Sequence, residues 1–163
     1  MTMSEKSDKA QETRRQFITF VSGEQEFGAN IMNIREIRGW TETTLLPHAP
    51  DYVRGVINLR GVVLPVIDLK ARLGRGVTEA NPKHVIIVVN SGERTIGLLV
   101  DAVSDILTAA AADIQPTPEL ARESHSSFVD GIAVLDKRMV TLLSMEKLTT
   151  SLVGETLPTA EAA

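Results

Sequence analysis

Phe17–Ile37 reads FITFVSGEQEFGANIMNIREI, and Ile86–Ile106 reads IIVVNSGERTIGLLVDAVSDI. Shifting the first by 69 positions lays it on the second without a gap. Ser22-Gly23-Glu24 falls on Ser91-Gly92-Glu93, Gly28 on Gly97 and Glu36 on Asp105, while Ile31, Ile34 and Ile37 fall on Val100, Val103 and Ile106. A second match follows at a shift of 76, where Gly55–Leu59 lies on Gly131–Leu135 and Val62–Ile67 on Arg138–Leu143. Each half reads hairpin, apolar stripe, connection, hairpin, and the change of shift marks a longer connection in the second. The pattern points to an internal duplication. A lone two-stranded hairpin is marginal in water, and an open sheet leaves unpaired edges. Two similar small β units, each closed into a barrel and packed on the other, answer both problems.

The local signals agree. Phe17–Val21, Val62–Ile67, Val85–Val89, Ile96–Val100 and Met139–Leu143 are short apolar runs rich in Val and Ile, the length and branching of strands. Ser22-Gly23-Glu24, Arg60-Gly61, Asn90-Ser91-Gly92-Glu93 and Asp136-Lys137-Arg138 separate such runs as turns do. Pro65 lacks a backbone donor, which predicts an edge or bulge position. One helix is well signalled. Ser144 can cap it, Met145, Leu148, Leu152 and Val153 then share a face, and Gly154 can stop it. Polar residues 1–13 read as a disordered arm, and residues 151–163 as a tail.

Composition narrows the function. The 163 residues are 43% hydrophobic, 23% charged and 4% aromatic, with a formal net charge of −4. So few aromatic rings disfavour a base-stacking platform, and the negative balance disfavours a phosphate-binding face. There are no cysteines, which excludes disulfides, thiolate catalysis and Cys-ligated zinc. The N-terminus lacks the apolar core of a signal peptide, and no apolar run reaches the ~18 residues of a membrane span. A cytoplasmic protein is expected.

Candidates for chemistry are weak. His48, His84 and His125 lack metal-ligand spacing. Ser124-His125 reads as a polar loop rather than a nucleophile beside its base. Asp101 and Asp105 would share a face only on a helix, and only Asp105 has an acidic counterpart, Glu36, in the repeat. Gly74-Arg75-Gly76 lacks the spacing of a phosphate loop. No cofactor or metal is implied, and an enzyme is the lesser reading. The two apolar stripes either plug the cores or form a binding strip, the first being interleaved with Arg35, Glu36 and Arg38. Arg60 is either a plain turn residue or a partner for Glu36 or for a carboxylate on another protein.

These residues resemble a known family. Gly55-Val56-Ile57-Asn58-Leu59-Arg60-Gly61-Val62-Val63-Leu64-Pro65-Val66-Ile67-Asp68-Leu69 is similar to the signature of CheW, the bacterial chemotaxis coupling family. Asn33–Gly39 resembles its upstream companion, and Gly97–Val103 the second-half counterpart. The resemblance spans about residues 14–150, which would form one CheW-like domain. It implies a mainly β fold of two intertwined five-stranded SH3-like barrels with short helical segments and a C-terminal helix. It also implies a non-catalytic adaptor, without a cofactor, that couples transmembrane chemoreceptors to the histidine kinase CheA and reaches the membrane only through them. By the same resemblance, Ile34, Glu36, Gly55, Arg60, Val85, Gly97, Val103 and Ile106 would lie at the receptor groove. Ile18, Ile31, Ile34 and Ile37 would meet the regulatory domain of CheA. Outside the family, a small enzyme centred on His125 or Asp101/Asp105 and a barrel binding peptides by edge-strand addition are the competing readings.

Overall fold

In a computed structural model the chain is described over residues 14–116, 128–135 and 137–151. The first half supplies β1 (Arg15–Ser22), β2 (Gln25–Asn30), a 3-10 turn at Ile31–Asn33, β3 (Ile34–Gly39), β4 (Val53–Leu59), β5 (Val62–Asp68) and the one-turn helix α1 (Leu69–Arg72). The second supplies β6 (Val85–Ser91), β7 (Arg94–Val100), β8 (Ala102–Ala109), a 3-10 turn at Ala111–Asp113, β9 (Ile114–Gln115), β10 (Val129–Leu135), β11 (Arg138–Leu143) and α2 (Met145–Ser151). The duplication is therefore literal: β1–β2 corresponds to β6–β7, β3 to β8, and β4–β5 to β10–β11.

The halves exchange their leading hairpins. One sheet runs β8-β1-β2-β11-β10-β9 and the other β3-β6-β7-β5-β4. Hairpin β1–β2 thus sits among second-half strands, and β6–β7 among first-half strands. The two joints are equivalent parallel pairings, with Leu142 opposite Gly28 in one and Val66 opposite Gly97 in the other. Both glycines allow close packing. A Cβ on Gly97 would come within 2.8 Å of Ile86 Cγ2, and one on Gly28 within 3.0 Å of Leu142 Cδ2.

Three cores result. Phe20, Phe27, Ile67, Ile87, Val89 and Leu98 pack between the sheets, together with Leu69 of α1 and Met145 and Leu148 of α2. Ile57, Leu64, Val66, Ile86 and Val88 form a second cluster on the other face of the five-stranded sheet, and Phe17, Leu107, Val140 and Leu142 a third on the other face of the six-stranded sheet. Each of these side chains contributes about 1.5–3 kcal/mol on burial.

Among the described residues, neither sheet is a closed five-stranded barrel. After β3 the chain crosses toward β4 and meets it only at the Thr44–Val56 bridge; after β8 it meets β10 through the two residues of β9. Isolated crossings do not make a continuous ladder, so neither sheet is sealed into a barrel. Gly55 and Gly131 sit at the two crossings. A Cβ on Gly55 would lie 2.3 Å from Thr44 O, and one on Gly131 2.8 Å from Gln115 O.

Pro65 is not on an edge. It lies on β5, inside the sheet, opposite Val56, in a stretch where the ladder shows no bulge. Val56 exchanges both backbone hydrogen bonds with Thr44 instead, so Pro65 owes no donor to β4; pairing with β7 begins one residue later, at Val66. Buried Asp68 then ends β5. Its carboxylate accepts from Ala71 N (3.4 Å), capping α1, and from Thr78 N (2.6 Å) and Thr78 Oγ1 (2.7 Å), fastening the following loop. Ser144 caps α2 as expected, accepting from Lys147 N at 3.1 Å. Leu152, Val153 and Gly154 lie outside the described residues, as do 1–13, Asp136 and His125.

Candidate protein-docking site

A spacing of three residues would normally split a stripe between the two faces of a strand. Here each stripe crosses a β-bulge. Ile34 faces Val89 and Ile37 faces Ile87, with the register shifting between Ile34 and Glu36. The equivalent shift in β8 lets Val103 face Phe20 and Ile106 face Ile18. One extra residue per strand thus keeps each stripe on one face, the side of the core between the sheets. Ile31, Ile34 and Val103 pack against that core, while Ile37 and Ile106 are exposed. The stripes plug and protrude at once.

The bulges also turn Glu36 and Asp105 to the opposite face, where each finds an arginine. Glu36 Oε1 accepts from Arg60 Nη2 at 2.7 Å, and Arg38 Nη1 stands 3.8 Å from Glu36 Oε2. Arg60 lies in the β4–β5 turn with φ +50, followed by Gly61 at φ +89, the backbone of a type I′ hairpin. Asn58 Oδ1 holds that turn by accepting from Gly61 N at 2.8 Å. The Arg60 side chain is 77% exposed, with exposed Val62 and Val63 beside it. An ion pair so wet adds only ~0–1 kcal/mol to stability. What it offers is a planar charged fork at the surface, suited to exchange partners.

Asp105 is held differently. Arg138, on β11, donates Nη2 and Nη1 to Asp105 at 2.7 and 3.2 Å, and Nε and Nη2 to Glu26 at 2.9 and 2.7 Å. Thr19 Oγ1 accepts from the Asp105 amide at 3.1 Å and donates to the Asp105 carboxylate. The Arg138 guanidinium, then the Thr19 hydroxyl, hold the Asp105 carboxyl below its usual value; Glu26 and then Asp105 hold Arg138 still more firmly protonated. Repeat comparison misses this cluster, because the position matching Arg138 is Val62. Arg138, expected in the turn before the run Met139–Leu143, is instead the first residue of β11 and pairs with Leu135.

The remaining site residues are scattered in exposure. Ile18 and Gly97 are buried, Val85 is half-buried, and Gly55 has the backbone contact given above. Asp101 and Asp105 share no helix: Asp105 lies on β8, and Asp101 lies just before it, accepting from Gly23 N at 3.0 Å, with His84 Nε2 3.2 Å from its carboxylate. Among the described residues there is no metal-ligating cluster, and no helix is long and apolar enough to cross a membrane.

Known proteins share this pattern. The model of the CheW-like domain matches residues 16–153. A probable chemotaxis protein CheW of Rhizobium etli is 54% identical over 134 residues, covering 82% of this chain and 86% of its own. The chemotaxis protein CheW of Klebsiella aerogenes is 38% identical over 137 residues, covering 84% and 82%. Among solved structures, the scaffolding protein TtCheW of Thermoanaerobacter tengcongensis aligns with a TM-score of 0.75 at 32% identity, covering 80% of this chain and 89% of that one. By this match over most of its length and these relatives, the chain belongs to the CheW-like domain family of chemotaxis scaffolds.

Proposed function

We propose that the chain is a non-catalytic cytoplasmic adaptor that couples chemoreceptors to the histidine kinase CheA, its two sheets serving as partly open SH3-like halves. The observation that carries this reading is the exposed Glu36–Arg60 pair, next to exposed Val62 and Val63, which follow the same turn. An apolar rim around a charged fork suits recognition of another protein better than catalysis. In this reading Glu36, Arg60, Val103 and Ile106 touch the receptor directly. Ile34 and Val85 back them from half-buried positions, and Gly55 and Gly97 act through the backbone they allow. Ile31, Ile34 and Ile37 face the regulatory domain of CheA, with Ile18 contributing from the buried core that Ile31 and Ile34 pack against.

Coupling follows from linkage. Two partners held on separate faces gain effective concentration and a fixed orientation. Signal passes only if the receptor's states differ in how they hold the adaptor–kinase unit. Co-sedimentation with receptor-containing membranes and CheA, together with kinase phosphorylation assays, tests the reading. Receptor-dependent kinase activity that requires the chain supports it. A chain that binds neither partner and leaves phosphorylation unchanged overturns it.

A further inference from the structure

The two halves treat their matching acids unequally. Glu36 is met by an arginine on a turn, and most of that arginine is in water. Asp105 is met by an arginine rising from the neighbourhood of its own sheet, 32% exposed, with all three nitrogens engaged. Arg138 and Thr19 together reach β1, β2 and β8 from β11, spanning four adjacent strands. The residue they grip, Asp105, lies within the register shift that puts Val103 and Ile106 on one face. Without a fixed bulge, a slip of one residue would turn Ile106 to the other side of the strand.

We propose that Arg138 is a positioning residue: by clamping Asp105 against Glu26 and Thr19 it fixes the β8 bulge and thereby the outward presentation of Ile106 beside Val103. The proposal rests on the coupling reading for its functional consequence, since Val103 and Ile106 are there assigned to the receptor. It makes the halves functionally distinct. The Glu36–Arg60 pair is open to exchange with a partner's charge, whereas the Asp105 clamp is internally satisfied and shapes an apolar contact instead. A lysine cannot replace the clamp, because a single ammonium lacks the planar geometry to fork onto two carboxylates.

The test uses the full chain and the variants Arg138→Gln, Arg138→Lys and Thr19→Val. Hydrogen exchange of the Asp105 and Ile106 amides is read without any partner, and binding to receptor membranes and to CheA is measured separately. Exchange at these amides is expected to rise about tenfold or more in all three variants. Receptor binding should fall about tenfold while CheA binding holds, and Arg138→Lys should not rescue. Unchanged amide exchange overturns the proposal, as does an equal loss of receptor and CheA binding. If Arg138→Gln does not fold, Thr19→Val decides by the same two readouts. Should the unmodified chain fail to bind receptors, the coupling reading falls alone, and the exchange measurement still decides whether Arg138 fixes the bulge.

Discussion

Gly55→Ala is expected to unfold the chain more readily rather than merely blunt a contact surface. The added Cβ would stand 2.3 Å from Thr44 O, 2.8 Å from Thr44 C and 3.1 Å from Thr43 Cβ. An unstrained carbon–oxygen approach is about 3.3–3.6 Å, so the crossing segment must retreat by about 1 Å. That retreat breaks the two Thr44–Val56 backbone hydrogen bonds, at 2.9 and 2.8 Å, and loosens the bond from Thr43 Oγ1 to Arg54 O. Each is worth about 0.5–1.5 kcal/mol net, and alanine at φ +136 adds backbone strain of about 1–3 kcal/mol. The sum, about 2–6 kcal/mol, is a large part of the 5–15 kcal/mol typical of a domain. With a urea slope of about 2 kcal/mol/M, the unfolding midpoint should fall by roughly 1–3 M. Gly131→Ala, where the nearest approach is 2.8 Å and φ is not left-handed, should lose less. A Gly55→Ala chain within about 0.5 kcal/mol of the parent, with receptor binding nonetheless lost, would refute the reasoning and make Gly55 a contact residue.

Arg60→Ala should change stability by no more than about 1 kcal/mol in urea titration, because its ion pair is exposed, yet weaken receptor co-sedimentation severalfold. Asp68→Ala leaves Thr78 N and Thr78 Oγ1 without their buried acceptor and should cost about 2–4 kcal/mol, with faster proteolysis in the loop after α1. Asp105 titrates below its ordinary 3.8 because of Arg138 and Thr19. A depressed folded-state pKa stabilises fully above the unfolded value and is lost as pH falls through the folded one. The margin of the parent over Asp105→Asn should therefore be complete near neutral pH and shrink below about pH 4, read as urea midpoints across that range.

Much of the fold is legible in the chain itself. The two shifts predict which strands correspond, and the matched pairs Gly28/Gly97 and Gly55/Gly131 fall at equivalent joints and crossings. The exchange of hairpins is not legible, since a repeat says which strands are alike and nothing about which half each one joins. Closure fails for a related reason: Thr44 and Ile114–Gln115 carry no long apolar run, and only the folded backbone reveals how little of each crossing pairs. At the site, Glu36 and Arg60 are readable because the hairpin turn marks the arginine. Glu26, Thr19 and Arg138 come together across strands 112 and 119 residues apart, beyond any local pattern. The three-residue stripes are visible, but the bulges that make sense of them depend on register.

The exchanged hairpins also set an order of assembly on a chain made from its N-terminus. Every strand of the five-stranded sheet has been synthesised once Val100 has emerged, so that sheet can complete early. Hairpin β1–β2 is made first, yet its partner β11 ends only at Leu143. The β1–β2 hairpin must wait with its β11 side unpaired until Arg138–Leu143 arrives. Pairings of such long separation form slowly. A chain truncated before Arg138 would carry one finished sheet and an orphaned hairpin, a form that quality-control proteases should recognise by that hairpin.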